Sequence, residues 1–182
     1  MGVVSPPQPV LLLLAAFSRH REALEWAKAK ASGAWGQLAL ESPLFEFRET
    51  DYYEPTMGPG LLKKFFAFGE LVDPGRLADL KIQTNGWERE YAELGLHPEV
   101  RPLNLDPGYI ALGKLVLAST KDFSHRIYLG RGIYAEVTLC YRKGNWEALP
   151  WTFADYRRAD YQEFFSQCRE YLHRQLREAG RL

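Results

Sequence analysis

The sequence predicts a single α+β domain: a ferredoxin-like half with the element order βαββαβ, followed by an added β-hairpin and a helix. Three observations carry this prediction: an apolar run over residues 10–17, a helix start at Asp73-Pro74, and a strand pair within residues 125–142. A chain of 182 residues suits one domain with a sizeable core. We expect one domain over 1–182, with a loose Pro-rich segment at 1–9, the ferredoxin-like half at 10–106 and an extension at 107–182.

The first strand and helix follow from residues 10–36. Residues 10–17 are apolar without interruption, which is typical of a strand that is buried on both faces. The run is too short to span a bilayer, so we expect no membrane contact. Ser18 can cap a helix over about 19–32, and Gly33 and Gly36 are expected to end it.

The next two strands and the second helix complete most of the first half. Residues 38–47 predict a strand that is interrupted near Ser42-Pro43, and residues 62–72 predict another, with a turn-rich loop at 51–60 between them. The helix begins at Asp73-Pro74, an N-cap followed by proline, and ends at Gly95. Its buried stripe is expected at Leu77, Leu80, Thr84, Trp87, Tyr91 and Leu94.

Three further elements are predicted around the hairpin. Residues 100–105 predict a strand that Asp106-Pro107-Gly108 ends, and residues 110–119 predict a short helix. A last helix is expected near 159–177. Its buried face is expected to hold Tyr161, Phe164, Phe165, Cys168, Leu172 and Leu176.

The hairpin within 125–142 has two unlike faces. If Gly130–Gly132 form a three-residue loop, Leu129 pairs with Ile133, Tyr128 with Tyr134, and Arg126 with Glu136. One face is then apolar. The other is polar and carries Arg126, Tyr128, Tyr134, Glu136 and Thr138. The polar face is either an ordinary solvated surface or part of a ligand site.

Composition excludes some function classes. Lys and Arg together number 23, as do Asp and Glu, so the net charge is near zero and binding to nucleic acid is not expected. The two cysteines form no C-x-x-C pair, which fits a reducing cytoplasm. The four histidines are far apart in the sequence and show no metal-ligand spacing.

The first candidate site is the turn-rich loop. Asp51 and Glu54 are carboxylates three positions apart, with Tyr53 between them. They could bind Mg²⁺ or Mn²⁺, or serve as acid and base. A polar turn with tyrosine rings folded over the edge of the core is the alternative.

The second candidate site precedes the hairpin. Lys121 and Arg126 suit a small anionic ligand, and His125 suits proton transfer near neutral pH. Glu136 would lie opposite Arg126. The alternative is a capped turn that leads into the hairpin.

Three further patterns in the sequence are weaker. Lys81, Asn85 and Glu88 lie on one side of the second helix, as a solvated row or as part of a site. Residues 108–114 match the phosphate-loop pattern G-x-x-x-x-G-K, but Leu115 replaces the required Ser or Thr, so an ordinary turn is expected. The aromatic tract 149–157 could cover a pocket or seal the end of the core.

Six segments resemble a bacterial family known as domain of unknown function 4416. They are residues 51–58, 81–88, 104–109 (Asn-Leu-Asp-Pro-Gly-Tyr), 121–129, 132–138 (Gly-Ile-Tyr-Ala-Glu-Val-Thr) and 150–157. The resemblance covers nearly the whole chain. It implies a soluble single-domain protein with no established activity.

We expect an enzyme that acts on a phosphorylated or nucleotide-like small molecule, with a divalent cation as an option. The expected catalytic residues are His125, Lys121, Arg126 and Glu136. The expected ligand-binding residues are Asp51, Tyr53, Glu54, Lys81, Asn85, Glu88, Asn104, Asp106, Tyr128, Tyr134 and Thr138. A non-catalytic ligand-binding module and a protein-interaction domain that uses tract 149–156 are the alternatives. The expectation requires these residues to surround one cavity.

Overall fold

The computed structural model describes residues 2–182 of the chain. Its strands are β1 (Val10–Ser18), β2 (Leu38–Glu41), β3 (Phe45–Glu46), β4 (Leu62–Val72), β5 (Asn104–Ala111), β6 (Lys114–Ser119), β7 (Ile127–Gly130), β8 (Ile133–Arg142) and β9 (Asn145–Ala148). Its helices are α1 (Arg21–Trp35), α2 (Glu54–Met57), α3 (Leu77–Glu93) and α4 (Ala159–Glu178). Short 3₁₀ turns cover Pro74–Arg76 and Asp155–Arg157.

Within residues 2–182, all nine strands belong to one antiparallel sheet. The strand order is β2-β4-β1-β5-β6-β8-β7, with β3 also paired to β4 and β9 also paired to β8. The α+β class is therefore confirmed. The ferredoxin-like description of 10–106 stays a prediction, because the sheet continues without a break from β5 into β6 and this half is not a separate unit.

Strand β1 lies at the centre, and both its faces are covered. Leu11, Leu13 and Ala15 pack in the core formed with α4. Their neighbours Leu12, Leu14 and Ala16 pack in the core formed with α1 and α3. Because successive strand residues point to opposite faces, an uninterrupted apolar run is what a strand between two helical layers requires.

The structure corrects the prediction for residues 100–119. A strand follows α3 as expected, but it is β5 at Asn104–Ala111 instead of 100–105, and it runs through Pro107 and Gly108 instead of ending there. The expected helix 110–119 is wrong, since this segment is the end of β5 and strand β6. Pro107 is tolerated because β6 pairs with β5 only from Gly108 onward. A Cβ on Gly108 would lie 2.4 Å from the Val116 carbonyl oxygen, so this position accepts only glycine. The apparent phosphate loop is part of this strand pair.

The helices begin and end near the expected residues. Asp73 accepts a hydrogen bond from the Gly75 N–H at 2.7 Å, which confirms the cap before α3. Helix α1 continues past Gly33 to Trp35, which is buried, and Gly36 follows it with a positive φ. The expected inner stripe of α4 is buried in full. In the expected stripe of α3, Leu94 is the exception, since it is half exposed just beyond the helix.

The hairpin register is confirmed in part. Tyr128 pairs with Tyr134 as expected, but Gly130 rather than Leu129 pairs with Ile133, because the chain bulges between Tyr128 and Gly130. The turn is therefore Arg131–Gly132 instead of a three-residue loop. The apolar side of β7 is not buried, since Ile127 is 71% exposed on a strand at the edge of the sheet.

Candidate functional site

A pocket of about 430 Å³ opens at one end of the sheet, where β1 and β6 end and where β4 and β5 begin. Its volume lies in the range of small-molecule sites. Its lining combines charged groups with aromatic rings. The charged side chains are Lys63, Lys81, Arg101, Lys121, Arg126, Glu49, Asp106, Glu136 and Asp155, and the rings are Phe17, Phe47, Tyr52, Tyr53, Phe123, Phe153 and Tyr156.

Glu136 is the centre of a buried network in the pocket wall. Its side chain is 1% exposed, and Oε2 accepts a hydrogen bond from Arg126 Nε at 2.7 Å. The Thr138 hydroxyl donates to Oε1 at 3.2 Å. Arg126 also donates to the Ser119 hydroxyl and to the Lys121 carbonyl. Because both charges are buried and satisfied, this pair is stronger than an ion pair on a solvated sheet face.

His125 lies behind this network and is not among the residues that line the pocket. Its Nε2 is 3.3 Å from Glu136 Oε2. The imidazole ring is stacked near-parallel to Phe123 at 5.9 Å and to Trp151 at 5.1 Å between ring centres. The histidine therefore contacts the pocket through two lining residues, Glu136 and Phe123.

Helix α3 closes a gap in the sheet beside the pocket. Residues 104–107 of β5 have β1 on one side and no β6 pairing on the other. Lys81 Nζ donates to the Leu105 carbonyl at 2.8 Å, and Glu88 Oε1 accepts from the Leu105 N–H at 2.7 Å. These side chains replace hydrogen bonds that a neighbouring strand would supply, which explains why a charged row on α3 is buried.

The carboxylate of Asp106 is held by Lys81 of α3 and by Asn104 of its own strand. Lys81 Nζ lies 2.9 Å from Asp106 Oδ1, and the Asn104 amide donates to Oδ2 at 2.7 Å. Burial by itself would raise the pKa of Asp106, but the charge and hydrogen bond of Lys81 outweigh it and the pKa lies below its ordinary value. For Glu88, burial dominates and raises the pKa, although Lys81 and Arg101 act against it.

Lys63 and Asp155 form a second buried pair, which the sequence analysis missed. Their charged atoms are 2.5 Å apart, and the side chains are 4% and 6% exposed. The rings of Phe17, Phe47 and Tyr156 surround the ammonium group. A signal was present, because strand alternation puts Lys63 on the same face as Phe65 and Ala67.

Lys121 differs from the other lining cations. Its Nζ donates to the Tyr52 hydroxyl at 2.9 Å and lies 4.6 Å from the centre of that ring. The hydrogen bond and the charge lower the pKa of the Tyr52 phenol. Within residues 2–182, Lys63, Lys81, Arg101 and Arg126 each have a carboxylate within 4 Å, whereas Lys121 has none.

The structure brings together part of the expected site. Eight of the expected site residues line the pocket: Lys121, Arg126, Glu136, Tyr53, Lys81, Asn85, Asn104 and Asp106. His125 and Thr138 contact Glu136, and Glu88 contacts Arg101 at 3.1 Å. These residues belong to the pocket wall without facing the pocket.

Four expected residues lie elsewhere. Asp51 and Glu54 border a separate concavity of about 310 Å³ beside Glu46 and Arg48. Tyr128 and Tyr134 pack against each other on β7 and β8, with ring centres 5.2 Å apart and ring planes tilted by 52°. The tyrosine pair lies closer to the hairpin turn than Arg126 and Glu136 do.

The tract 149–157 covers the pocket rather than the end of the core alone. Phe153, Asp155 and Tyr156 line the pocket. Trp151 donates its indole N–H to the Val137 carbonyl at 2.9 Å, which fixes the tract against β8. Tyr53 lies across the pocket, and burial raises the pKa of its phenol.

Comparisons with known proteins agree with the motifs. The model of the family described as Domain of unknown function (DUF4416) matches residues 8–171. No curated protein and no solved structure matches the chain. Among the described residues, 2–182, no helix has the length and apolar character needed to cross a bilayer.

Proposed function

The chain belongs to the DUF4416 family, and we propose that it binds a phosphorylated or nucleotide-like small molecule in the pocket and acts on it as an enzyme. The observation that carries the binding proposal is Lys121, a cation at the pocket whose partner within residues 2–182 is a phenol instead of a carboxylate. A phosphate beside Lys121 would supply the missing negative charge.

The pairing of charges in the lining supports an anionic ligand. Lys63, Lys81 and Arg126 are neutralised by Asp155, Asp106 and Glu136, and Arg101 is neutralised by a carboxylate of α3. Glu49, the remaining lining carboxylate, is paired with Arg158 at 2.9 Å. Lys121 is therefore the lining cation within residues 2–182 that has no carboxylate within 4 Å, although the charges around the pocket sum to about zero. A cation without an ionic partner in a concave site attracts an anionic ligand group.

The aromatic lining supports a planar group on the same ligand. Tyr52, Phe123 and Phe153 line the pocket and are 66%, 51% and 43% exposed. Arg126 and His125 lie against the Phe123 ring, and Lys121 lies over the Tyr52 ring. Phe153 and the other face of Tyr52 are therefore the surfaces on which a nucleobase or another flat ring would stack. A ligand with a flat ring and a phosphate, as in a nucleotide, would use both features.

Binding is tested by substitution of Lys121. A thermal-shift screen with nucleotides and phosphosugars, with and without Mg²⁺ or Mn²⁺, identifies the ligand, and titration calorimetry gives its Kd. Lys121→Ala should weaken binding about tenfold or more, because a charge-assisted contact is worth roughly 1.5–3 kcal/mol. Lys114→Ala, at an exposed lysine at the other end of β6, serves as the matched control. An unchanged Kd in Lys121→Ala contradicts the proposal.

Catalysis is supported by the contact between His125 and Glu136. Glu136 lines the pocket, and His125 lies 3.3 Å behind it, so a proton could pass between the pocket and the imidazole. With the ligand identified, His125→Ala should lower kcat by roughly 10²–10⁴. The Kd and the melting temperature should change little. Turnover at the wild-type rate in the variant contradicts a catalytic histidine.

Two other outcomes would favour the alternatives. Ligand binding without turnover in the wild-type protein favours a non-catalytic module. Co-purification of a stoichiometric protein partner, lost in Phe153→Ala, favours an interaction domain that uses tract 149–156. Both cysteines are free, which supports our further proposal of a reducing location such as the bacterial cytoplasm.

A further inference from the structure

We propose that His20, Glu22 and His97 form a binding site for a divalent transition-metal cation of the zinc class. His20 comes directly before α1, Glu22 lies in its first turn, and His97 follows α3. None of the three lines the pocket described above, so this inference is independent of the proposed function.

The three side chains offer ligand atoms at nearly coordinating separations. His20 Nδ1 and His97 Nε2 each lie 3.9 Å from Glu22 Oε1, and all three ligand atoms fall within 4.8 Å of one another. Tetrahedral zinc with bonds of about 2.0–2.1 Å holds its ligand atoms about 3.4 Å apart. Glu22 is 66% exposed, so its side chain is free to close the remaining half ångström or so while the two rings turn toward the ion.

A buried carboxylate orients His20 for this contact. Glu99 is 8% exposed, and its Oε2 lies 2.9 Å from His20 Nε2, while Oε1 accepts from Arg19 at 2.9 Å. An ionised carboxylate only accepts hydrogen bonds, so Nε2 carries the proton and Nδ1 keeps its lone pair. A carboxylate that holds the far nitrogen of a histidine is the usual second contact around protein-bound zinc.

The two imidazole rings lie face to face. The centres of the His20 and His97 rings are 3.6 Å apart with an angle of 14° between planes. To share one ion, the two rings must turn out of this parallel stack until a nitrogen lone pair of each points at the same position. The Tyr91 hydroxyl lies 2.9 Å from His97 Nε2, and an ion bound to this nitrogen would replace that hydrogen bond.

The donor set selects the class of ion. Two imidazole nitrogens and one carboxylate suit zinc and its first-row neighbours, whereas Mg²⁺ and Ca²⁺ prefer oxygen ligands alone. A metal here would join the start of α1 to the loop after α3. That loop also carries Arg101, which lines the pocket.

The test uses the full, untagged chain after treatment with a chelator. Calorimetric titration with ZnCl₂ should give one equivalent of bound zinc, and Co²⁺ should give the visible absorption bands of a low-symmetry site with nitrogen ligands. Glu22→Gln should weaken zinc binding at least tenfold without unfolding the protein, because Glu22 is exposed. His20→Ala and His97→Ala should abolish binding.

Matched controls separate this site from other ligands on the chain. Glu25→Gln changes another exposed carboxylate of α1, and His173→Ala removes a histidine of α4. Both should bind zinc as the wild type does. Failure of the wild type to take up one equivalent, or equal uptake by Glu22→Gln and the wild type, would overturn the proposal. Circular dichroism identifies any histidine variant that unfolds, and Glu22→Gln then decides alone.

Discussion

The contacts of Glu99 with its neighbours change its pKa strongly. Chiefly through the hydrogen bond from His20, its pKa falls to about 2. An unfolded glutamate titrates near pH 4.3, roughly two units higher. The ionised carboxylate is therefore favoured in the folded state. Its contribution to the free energy of unfolding is complete above about pH 4.3 and is lost as pH falls toward 2.

Substitution of Glu99 should remove this pH dependence. Glu99→Gln should be less stable than the wild type at pH 6, and the difference between them should shrink between about pH 4.3 and 2. Urea unfolding at pH 6, 4 and 2.5 measures the free energy of unfolding of both proteins. A difference that stays constant over this range would contradict the assigned pKa.

Some residue positions were predictable because local geometry sets them. The two-residue period of a strand and a tight turn were enough to put Arg126 beside Glu136, although the turn itself has a different length. The same logic could have found Lys63, which alternates with buried apolar residues along β4. Its partner Asp155 is distant in the sequence, and no local pattern links them.

Among the elements, β5 shows how a helix can replace a missing strand. Lys81 and Glu88 lie two turns apart on α3 and bond the carbonyl and N–H of Leu105, where β6 has no pairing. Because β5 pairs with β6 only from Gly108 onward, residues 104–107 of β5 have no neighbouring strand on that side, next to the pocket. The side chains of α3 keep that opening from exposing unpaired backbone groups.

Removal of Glu88 should therefore destabilise the protein. Glu88→Ala leaves the Leu105 N–H without a partner and should cost about 1–3 kcal/mol. Chemical denaturation measures this cost, and hydrogen exchange should show faster exchange of the Leu105 amide. Glu93→Ala, at the exposed end of the same helix, should change stability little. Equal stability of the two variants would contradict a structural function for Glu88.

The prediction of a helix at 110–119 failed because nearly every residue there is apolar, so the spacing of apolar residues shows neither a helical nor a strand period. Residues 110–119 are apolar because β5 and β6 are buried on both faces, and a short run of this kind fits a helix as well as a strand. The strand is fixed instead by pairing with β8, a contact between residues far apart in the chain. The residues Asp106-Pro107-Gly108 predict the end of a strand, yet Gly108 lies inside β5 and permits the close approach of β6.

Across the whole molecule, one ion pair joins the sheet to the segment that covers the pocket. Lys63 of β4 and Asp155 of tract 149–157 are 92 positions apart and almost fully buried. Their mutual attraction offsets only part of the cost of removing water from each charge, so either partner alone would be a costly buried charge. The pair is a direct contact between β4 and tract 149–157.

Substitution of one partner of the Lys63–Asp155 pair should lower the free energy of unfolding more than substitution of both partners. Asp155→Ala leaves an uncompensated buried ammonium and should lower the free energy of unfolding by about 3–5 kcal/mol. The double variant Lys63→Met with Asp155→Leu should recover most of that loss, since no buried charge remains. Glu46→Ala, in an exposed pair with Arg48, should change stability by less than about 1 kcal/mol. Thermal and urea unfolding of the four proteins compare these costs, and a loss in Asp155→Ala no larger than in Glu46→Ala would contradict the pair's importance.

The sequence by itself determined the α+β class, the central apolar strand, the cap of α3, the buried stripe of α4 and most of the hairpin register, because each depends on the period of side chains along one element. Its motifs also identified the family. Only the tertiary structure decided which polar residues meet. It separated Asp51 and Glu54 from the pocket, joined Lys63 to Asp155, and brought His20 beside His97. The physical reason is that such contacts depend on how distant elements pack, which no period along a single strand or helix records.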